Sequence, residues 1–322
     1  MSEPKENVPL APFTIYKIGG AAKFFIEVKN GEELKSALDF ATQKKLRFFI
    51  FGAGSNILIS DKGFDGLAIR FSGGNISIQG TTVHIDAGVM MARAVLAAAD
   101  AGLSGFEWAI GVPGTAGGSV RGNAGCFGGE MKDVIESVRV MQVADGSSQN
   151  DDKQFAIRDM QNVECEFKYR DSLFKRHPEW IILSATLRLR MGNQDQIRET
   201  IKQISTERTE KQAIGTKSCG CIFKNVEWTR KDIDKEKLVN QFPELSPFAQ
   251  GLAVPAAFLI DKSDFKNRKI GGVLVSPKHA NYFVNTGEAT AEDIIILASI
   301  VKDGVRKKFG ILLEEEIQYI GF

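Results

Sequence analysis

Apolar positions in the first half of the chain switch between two periods. From Glu32 to Lys44 they fall at Leu34, Ala37, Leu38 and Ala41, the spacing of one helical face. Arg47–Phe51, Leu67–Phe71, Ile76–Ile78 and Val83–Ile85 are short apolar runs of strand type. Met90–Ala101 predicts a second, alanine-rich helix stopped at Gly102, and Val138–Val143 and Ile181–Leu189 predict further strands. The texture then changes. Asn193–Lys211 is highly charged, with Ile197, Ile201 and Ile204 on one stripe, and marks a boundary between a first and a second domain. Beyond it the pattern predicts a helix from Pro255 to Lys262, a strand at Tyr282–Val284 and a closing strand at Gln318–Phe322. Between the last two lies a long amphipathic helix, Ala291–Phe309, with Ile294, Leu297, Val301 and Val305 facing inward. No internal repeat interrupts this order.

Composition adds limits. A chain of 322 residues implies about two or three domains. With 43% hydrophobic and 25% charged residues it has the make-up of a globular protein rather than a disordered one. Lys plus Arg number 41 against 40 Asp plus Glu, so nothing electrostatic points to nucleic acid. The start, MSEPKENVPL, lacks the pattern of a secretory signal, and no apolar run reaches the roughly 18–20 residues of a membrane helix. Four cysteines (Cys126, Cys165, Cys219 and Cys221) form no disulfide framework. A cytoplasmic location, with neither membrane nor obligatory protein partner, is the expectation.

Glycine supplies the chemical signal. Its 32 residues cluster at Gly19–Gly20, Gly52–Gly54, Gly111–Gly129, Gly215–Gly220 and Gly271–Gly272. In FGAGSNILISD a strand leads into Gly52, Ala53, Gly54, Ser55 and Asn56, where small residues let backbone N–H groups converge on an anion. The dinucleotide fingerprint is absent, because the third glycine is missing and no helix follows. A glycine-rich turn without a ligand is the plainer alternative. GVPGTAGGSVRGNAGCFGGE, Gly111–Glu130, reads as a long loop that a flat cofactor lying on the backbone could organise, or as an ordinary surface loop. In EFKYRDSLFK, Tyr169, Arg170 and Ser172 sit between Phe167 and Phe174. KSCGCIFKN places Cys221 on a glycine turn, as a proton carrier or a buried structural thiol; no second cysteine pair completes a zinc site, so no metal is expected. In ILLEEEIQYIG, strand alternation puts Glu314 and Glu316 on one face and Glu315 on the other. No histidine stands in a hydrolase triad.

Together these segments resemble, in family order and over nearly the whole chain, the UDP-N-acetylenolpyruvoylglucosamine reductases of the short-loop, type II-like subtype. The shared features are the Ile18–Gly20 turn, GAGSN, GVPGT with NAG, YRDS, SCGCIFKN, the stretch Phe258–Asp293 and the C-terminal glutamate strand. The resemblance implies an α+β fold. Residues 1–193 would form an FAD-binding domain of the vanillyl-alcohol-oxidase/PCMH type, in two lobes of about 1–71 and 72–193. Residues 194–300 would form a substrate-binding domain, and 301–322 would return to the first domain carrying a catalytic glutamate. It further implies non-covalent FAD, held by Gly52, Ala53, Gly54, Ser55 and Asn56 and flanked by Gly114, Thr115, Gly118 and Asn123. NADPH would be the reductant and UDP-N-acetylglucosamine enolpyruvate the substrate, contacted by Tyr169, Lys211, Asn225 and Lys262. Arg170, Cys221 and Glu316 would be catalytic, with Cys221 where many members carry serine and Glu315 where a proline is usual. The competing expectations are a sugar or alcohol oxidase of the same flavoprotein superfamily and a nucleotide-binding regulator without turnover; the second has no use for a proton donor.

Overall fold

The structure, a computed structural model, describes residues 3–143, 155–212 and 215–322. It falls into two compact units: residues 1–8, 22–53 and 65–210 form one, and residues 9–21, 54–64 and 211–322 the other.

Apart from the strand ends Pro9, Ala21 and Phe64, the first unit carries two larger sheets. One runs in the order Lys5–Pro9, Ala21–Val28, Phe64–Phe71, Phe48–Phe51, the last pair parallel with Phe48 opposite Leu67. The other is antiparallel throughout, in the order Phe155–Gln161, Ile135–Val143, Trp180–Arg188, Thr82–Asp86, Ile76–Gln79. The helix Gly31–Gln43 starts where Asn30 Oδ1 accepts from Glu33 N at 2.9 Å, while Glu33 returns a carboxylate oxygen to Lys29 N. Its stripe Leu34, Ala37, Leu38 and Ala41 is buried in one core with Ala94, Val95 and Ala98 of the helix Met91–Asp100.

The charged helix spans Gln194–Lys211 and belongs to this first unit as far as Glu210, not to a second domain beginning at residue 194. Its isoleucines decide this: Ile197 is buried in the first core and Ile201 packs against it. Gln194 Nε2 donates to Asp100 O at 3.0 Å. Gly111–Glu130 is not a loop throughout. It holds the short helix Ala116–Arg121 and a hairpin, Gly125–Cys126 with Gly129–Glu130, because its glycines allow close packing where sequence alone suggests slack.

In the second unit the helix Ala291–Phe309 buries Ile294, Leu297, Ala298, Val301, Val305 and Phe309. Thr290 and Asp293 close its first turn as a capping box, and both oxygens of Asp61 accept from Ala291 N at 3.0 and 2.9 Å. The strands Lys269–Ile270, Val273–Val275 and Phe283–Asn285 form an antiparallel sheet. The closing strand is Gln318–Ile320, parallel to Ile57–Ile59. Residues 301–322 group with 54–64 in the second unit, and the partner of their strand, Ile57–Ile59, lies within residues 1–193. Leu58, Ile311 and Ile317 share one buried cluster, which draws these distant segments together.

Candidate active site

Within the first unit, two glycine clusters meet. The strand Phe48–Phe51 delivers Gly52 against Thr115 so closely that a Cβ at Gly52 would lie 2.3 Å from Thr115 Oγ1. Thr115, itself buried, starts the helix Ala116–Arg121. Gly114 O accepts from Met91 N at 3.0 Å, and Ala116 N and Gly117 N donate to Val89 O and Ala87 O. The backbone at Gly52, Ala53 and Gly118 stays accessible, and nothing lies closer than 3.6 Å to a Cβ built on Gly118. Accessible backbone without side chains suits the flat ring and diphosphate of a flavin dinucleotide, so these residues fit FAD.

Asn123 has another task. Its amide nitrogen donates to Glu130 Oε2 (2.7 Å) and Lys168 O (2.9 Å), and its oxygen accepts from Lys132 N (3.0 Å). That fully buried side chain is engaged by the protein itself and fastens the hairpin to the Tyr169–Arg170 segment. Lys168 and Asp171 exchange backbone hydrogen bonds across a turn, and Ser172 Oγ donates to Arg121 O at 2.7 Å. Arg170 sits inside the turn at φ 53°, a left-handed conformation that costs about 1 kcal/mol or more and persists because the turn is pinned. Its Nη2 donates to Gly125 O at 2.8 Å, and its guanidinium lies 5.2 Å from the Tyr169 ring centre. The next residue along the hairpin is Cys126. Burial pushes its thiol up, with Arg208 and Arg170 acting in the opposite sense, and the thiol donates to Trp108 O at 3.1 Å.

The second unit gathers the remaining candidates. The division between units falls after Ala53, so Gly54, Ser55 and Asn56 belong here. Gly54 needs its hydrogen side chain: its φ is 65° and a Cβ would lie 2.4 Å from Phe13 O. Asn56, expected to donate to a phosphate, turns its amide nitrogen to Glu316 O at 3.2 Å, and its own carbonyl accepts from Gln318 N. Glu316 N donates to Ile222 O at 2.7 Å and Lys224 N to Glu314 O at 2.8 Å. The segment 314–316, which precedes the closing strand, thus lies antiparallel beside Ile222–Lys224 through a single bridge, Phe223 opposite Glu315. Cys221, one residue before that ladder, bridges to Tyr282 and is partly exposed. Cys219 is the contrasting thiol: it is buried against Gly54 O and Ile57 O, and burial pushes it up to about 12.

Asn281 was missed in the sequence. Buried to 1% exposure, it accepts from Phe223 N (2.9 Å), donates to Phe223 O (2.7 Å) and takes Ile222 N on its backbone oxygen. Its place in the polar SPKHAN stretch was the available signal. Of the substrate candidates, Lys211 ends its helix exposed, and Asn225 Oδ1 accepts from Ala256 N at 3.1 Å. Lys262 is exposed, its Nζ 5.7 Å from the Phe258 ring centre. Arg170 and Tyr169 stand in the first unit, Cys221, Glu316, Lys211, Asn225 and Lys262 in the second.

The glycine backbone of the first unit fits a flavin dinucleotide, and the fold is α+β. Residues 22–151 match the family described as FAD binding domain, and residues 212–320 the C-terminal domain of UDP-N-acetylenolpyruvoylglucosamine reductase. The UDP-N-acetylenolpyruvoylglucosamine reductase of Solibacter usitatus is 34% identical over 98% of this chain and 96% of that protein. That of Carboxydothermus hydrogenoformans is 35% identical over 98% and 93%. The crystal structure of the Thermus caldophilus enzyme covers 99% of this chain and 100% of its own, with a TM-score of 0.75 at 28% identity. The protein is a flavin-dependent oxidoreductase with an FAD-binding domain. It belongs to the UDP-N-acetylenolpyruvoylglucosamine reductase family.

Proposed function

We propose that this enzyme reduces UDP-N-acetylglucosamine enolpyruvate to UDP-N-acetylmuramate with NADPH through non-covalently bound FAD, in the cytoplasm, as a step of peptidoglycan precursor synthesis. The observation that carries the catalytic part is the ladder that sets the glutamate strand beside the turn following Cys221. Bound FAD would supply hydride-transfer chemistry, with NADPH as the source of the hydride. Gly52, Ala53, Gly54 and Ser55 would hold the FAD diphosphate through backbone and hydroxyl donors, and Gly114, Thr115 and Gly118 would border the flavin ring. The protonated, hydrogen-bonded thiol of Cys126 is a poor nucleophile, which supports a cofactor without a covalent tether.

Hydride addition to the enol ether leaves negative charge next to the substrate carboxylate. Arg170 answers that charge with a planar fork already oriented by Gly125 O and Tyr169. Cys221 delivers the proton that completes the lactyl ether; a thiol is mostly protonated near neutral pH and leaves a stable conjugate base. Glu316 pairs with Ile222, the residue after Cys221, and to stand beside developing negative charge it must carry a proton or a counter-ion. Tyr169, Lys211, Asn225 and Lys262 would bind the nucleotide sugar, Asn225 while also supporting the helix Ala256–Lys262. Among the described residues no helix is long and apolar enough to cross a membrane.

NADPH oxidation that depends on the enolpyruvyl sugar tests this reading in a steady-state assay. Oxygen consumption with sugars or alcohols, and none of the sugar-dependent NADPH oxidation, would replace it with an oxidase.

A further inference from the structure

The chain places three glutamates in a row where the proposed chemistry uses one, and the structure treats the three differently. Glu314 is exposed and reaches Lys224 and Arg230, each at 3.6 Å. Glu316 is held through its backbone, by Ile222 O on one side and the Asn56 amide on the other. Glu315 alternates with Leu313 and Ile317, which are 1% and 5% exposed, so in this extended segment it stands on the core-facing side. There Lys302 Nζ, from the helix Ala291–Phe309, meets its carboxylate at 3.0 Å, and the Tyr319 phenol, pushed up by burial and then by the Glu315 carboxylate, is its neighbour from the closing strand. Both partners of the ion pair are largely covered, at 31% and 24% side-chain exposure.

A carboxylate between two core residues costs stability unless it is paired. What the pairing adds is position. Hydrogen bonds at residues 314 and 316 flank the Phe223–Glu315 pair, and in such a non-hydrogen-bonded pair the intervening N–H points away from the partner strand. The backbone ladder therefore does not hold residue 315 itself; its side chain does, from the helix on one side and from the closing strand on the other. Fixing residue 315 on the core side fixes residue 316 on the opposite face.

We propose that Glu315, clamped by Lys302 and Tyr319, is a positioning residue that directs the Glu316 carboxylate towards the reacting group. This rests on the catalytic reading of Glu316 given above. In the holoenzyme, Glu315→Ala and Lys302→Ala lower kcat by about ten- to a hundredfold, the scale of a misplacement near 1 Å, and leave KM within about twofold. FAD content and the rate of flavin reduction by NADPH stay at wild-type values, which a general loss of structure would not allow. The charge-reversed double variant Lys302→Glu/Glu315→Lys recovers most of the lost kcat, because the pairing rather than its polarity sets the strand. Wild-type kcat in both single variants overturns the proposal, and so does a loss that the reversed pair fails to recover. Glu316→Gln, measured alongside, separates the two ideas. Wild-type turnover in Glu316→Gln removes the catalytic reading. An inactive Glu316→Gln beside fully active Glu315→Ala and Lys302→Ala removes only the positioning role.

Discussion

Replacing Asn281 by alanine should loosen the turn that follows Cys221 at a buried point. The amide pairs with both backbone groups of Phe223, at 2.9 and 2.7 Å, and Phe223 is 1% exposed. Alanine leaves a buried N–H and a buried C=O without these partners. Each unsatisfied group costs about 1–3 kcal/mol, together about 2–6 kcal/mol. At about 2–4 °C per kcal/mol, the melting transition should fall by roughly 4–24 °C. Differential scanning calorimetry of the holoenzyme reads the shift directly. Stopped-flow work on the same variant should show flavin reduction by NADPH near the wild-type rate and a slower second half-reaction, since the turn carries Cys221 and the ladder partner of Glu316. An unchanged melting transition would refute this account of Asn281, and an equal slowing of both half-reactions would refute its link to proton delivery.

The other predictions address cofactor and thiols. Cys221→Ala should slow only the half-reaction with the enolpyruvyl sugar, by about 10²–10⁴-fold, while Cys221→Ser keeps measurable activity; turnover of the alanine variant at the wild-type rate would make Cys221 a structural thiol. Gly52→Ala forces a methyl to within 2.3 Å of Thr115 Oγ1, so the purified variant should carry less FAD per chain, read from the ratio of flavin to protein absorbance. Cys219, pushed up to about 12 by burial, should resist iodoacetamide at neutral pH while the partly exposed Cys221 is alkylated, as mass spectrometry of tryptic peptides would show. Acid precipitation should release all yellow colour into the supernatant, and colour retained by the chain would argue for a covalent tether.

Local pattern was legible where it coincides with burial. The helix Ala291–Phe309 has the limits that its periodicity implies, and the stripe Leu34–Ala41 faces a core as its spacing requires. Grouping was less legible. Nothing local in Ile57–Ile59 announces that it pairs with Gln318–Ile320, since that contact depends on residues more than 250 positions apart. The charged helix Gln194–Lys211 looked like a boundary because its polarity is high, yet one buried isoleucine joins it to the first unit. Site residues were found by type and order, but their use was not. Asn123, expected along the flavin, and Asn56, expected at the diphosphate, spend their amides on Glu130, Lys168 and Glu316, which only the folded chain reveals. Asn281 escaped notice for the same reason: a buried amide in a polar stretch looks like any other turn residue until its partners are known.

The most direct test of the proposed reaction is an anaerobic spectrum of the purified protein, taken in two steps. NADPH should bleach the flavin absorption, and added UDP-N-acetylglucosamine enolpyruvate should restore it with one equivalent of UDP-N-acetylmuramate formed per flavin reoxidised. A flavin that NADPH does not bleach, or that regains its colour only when oxygen is admitted, would contradict the account.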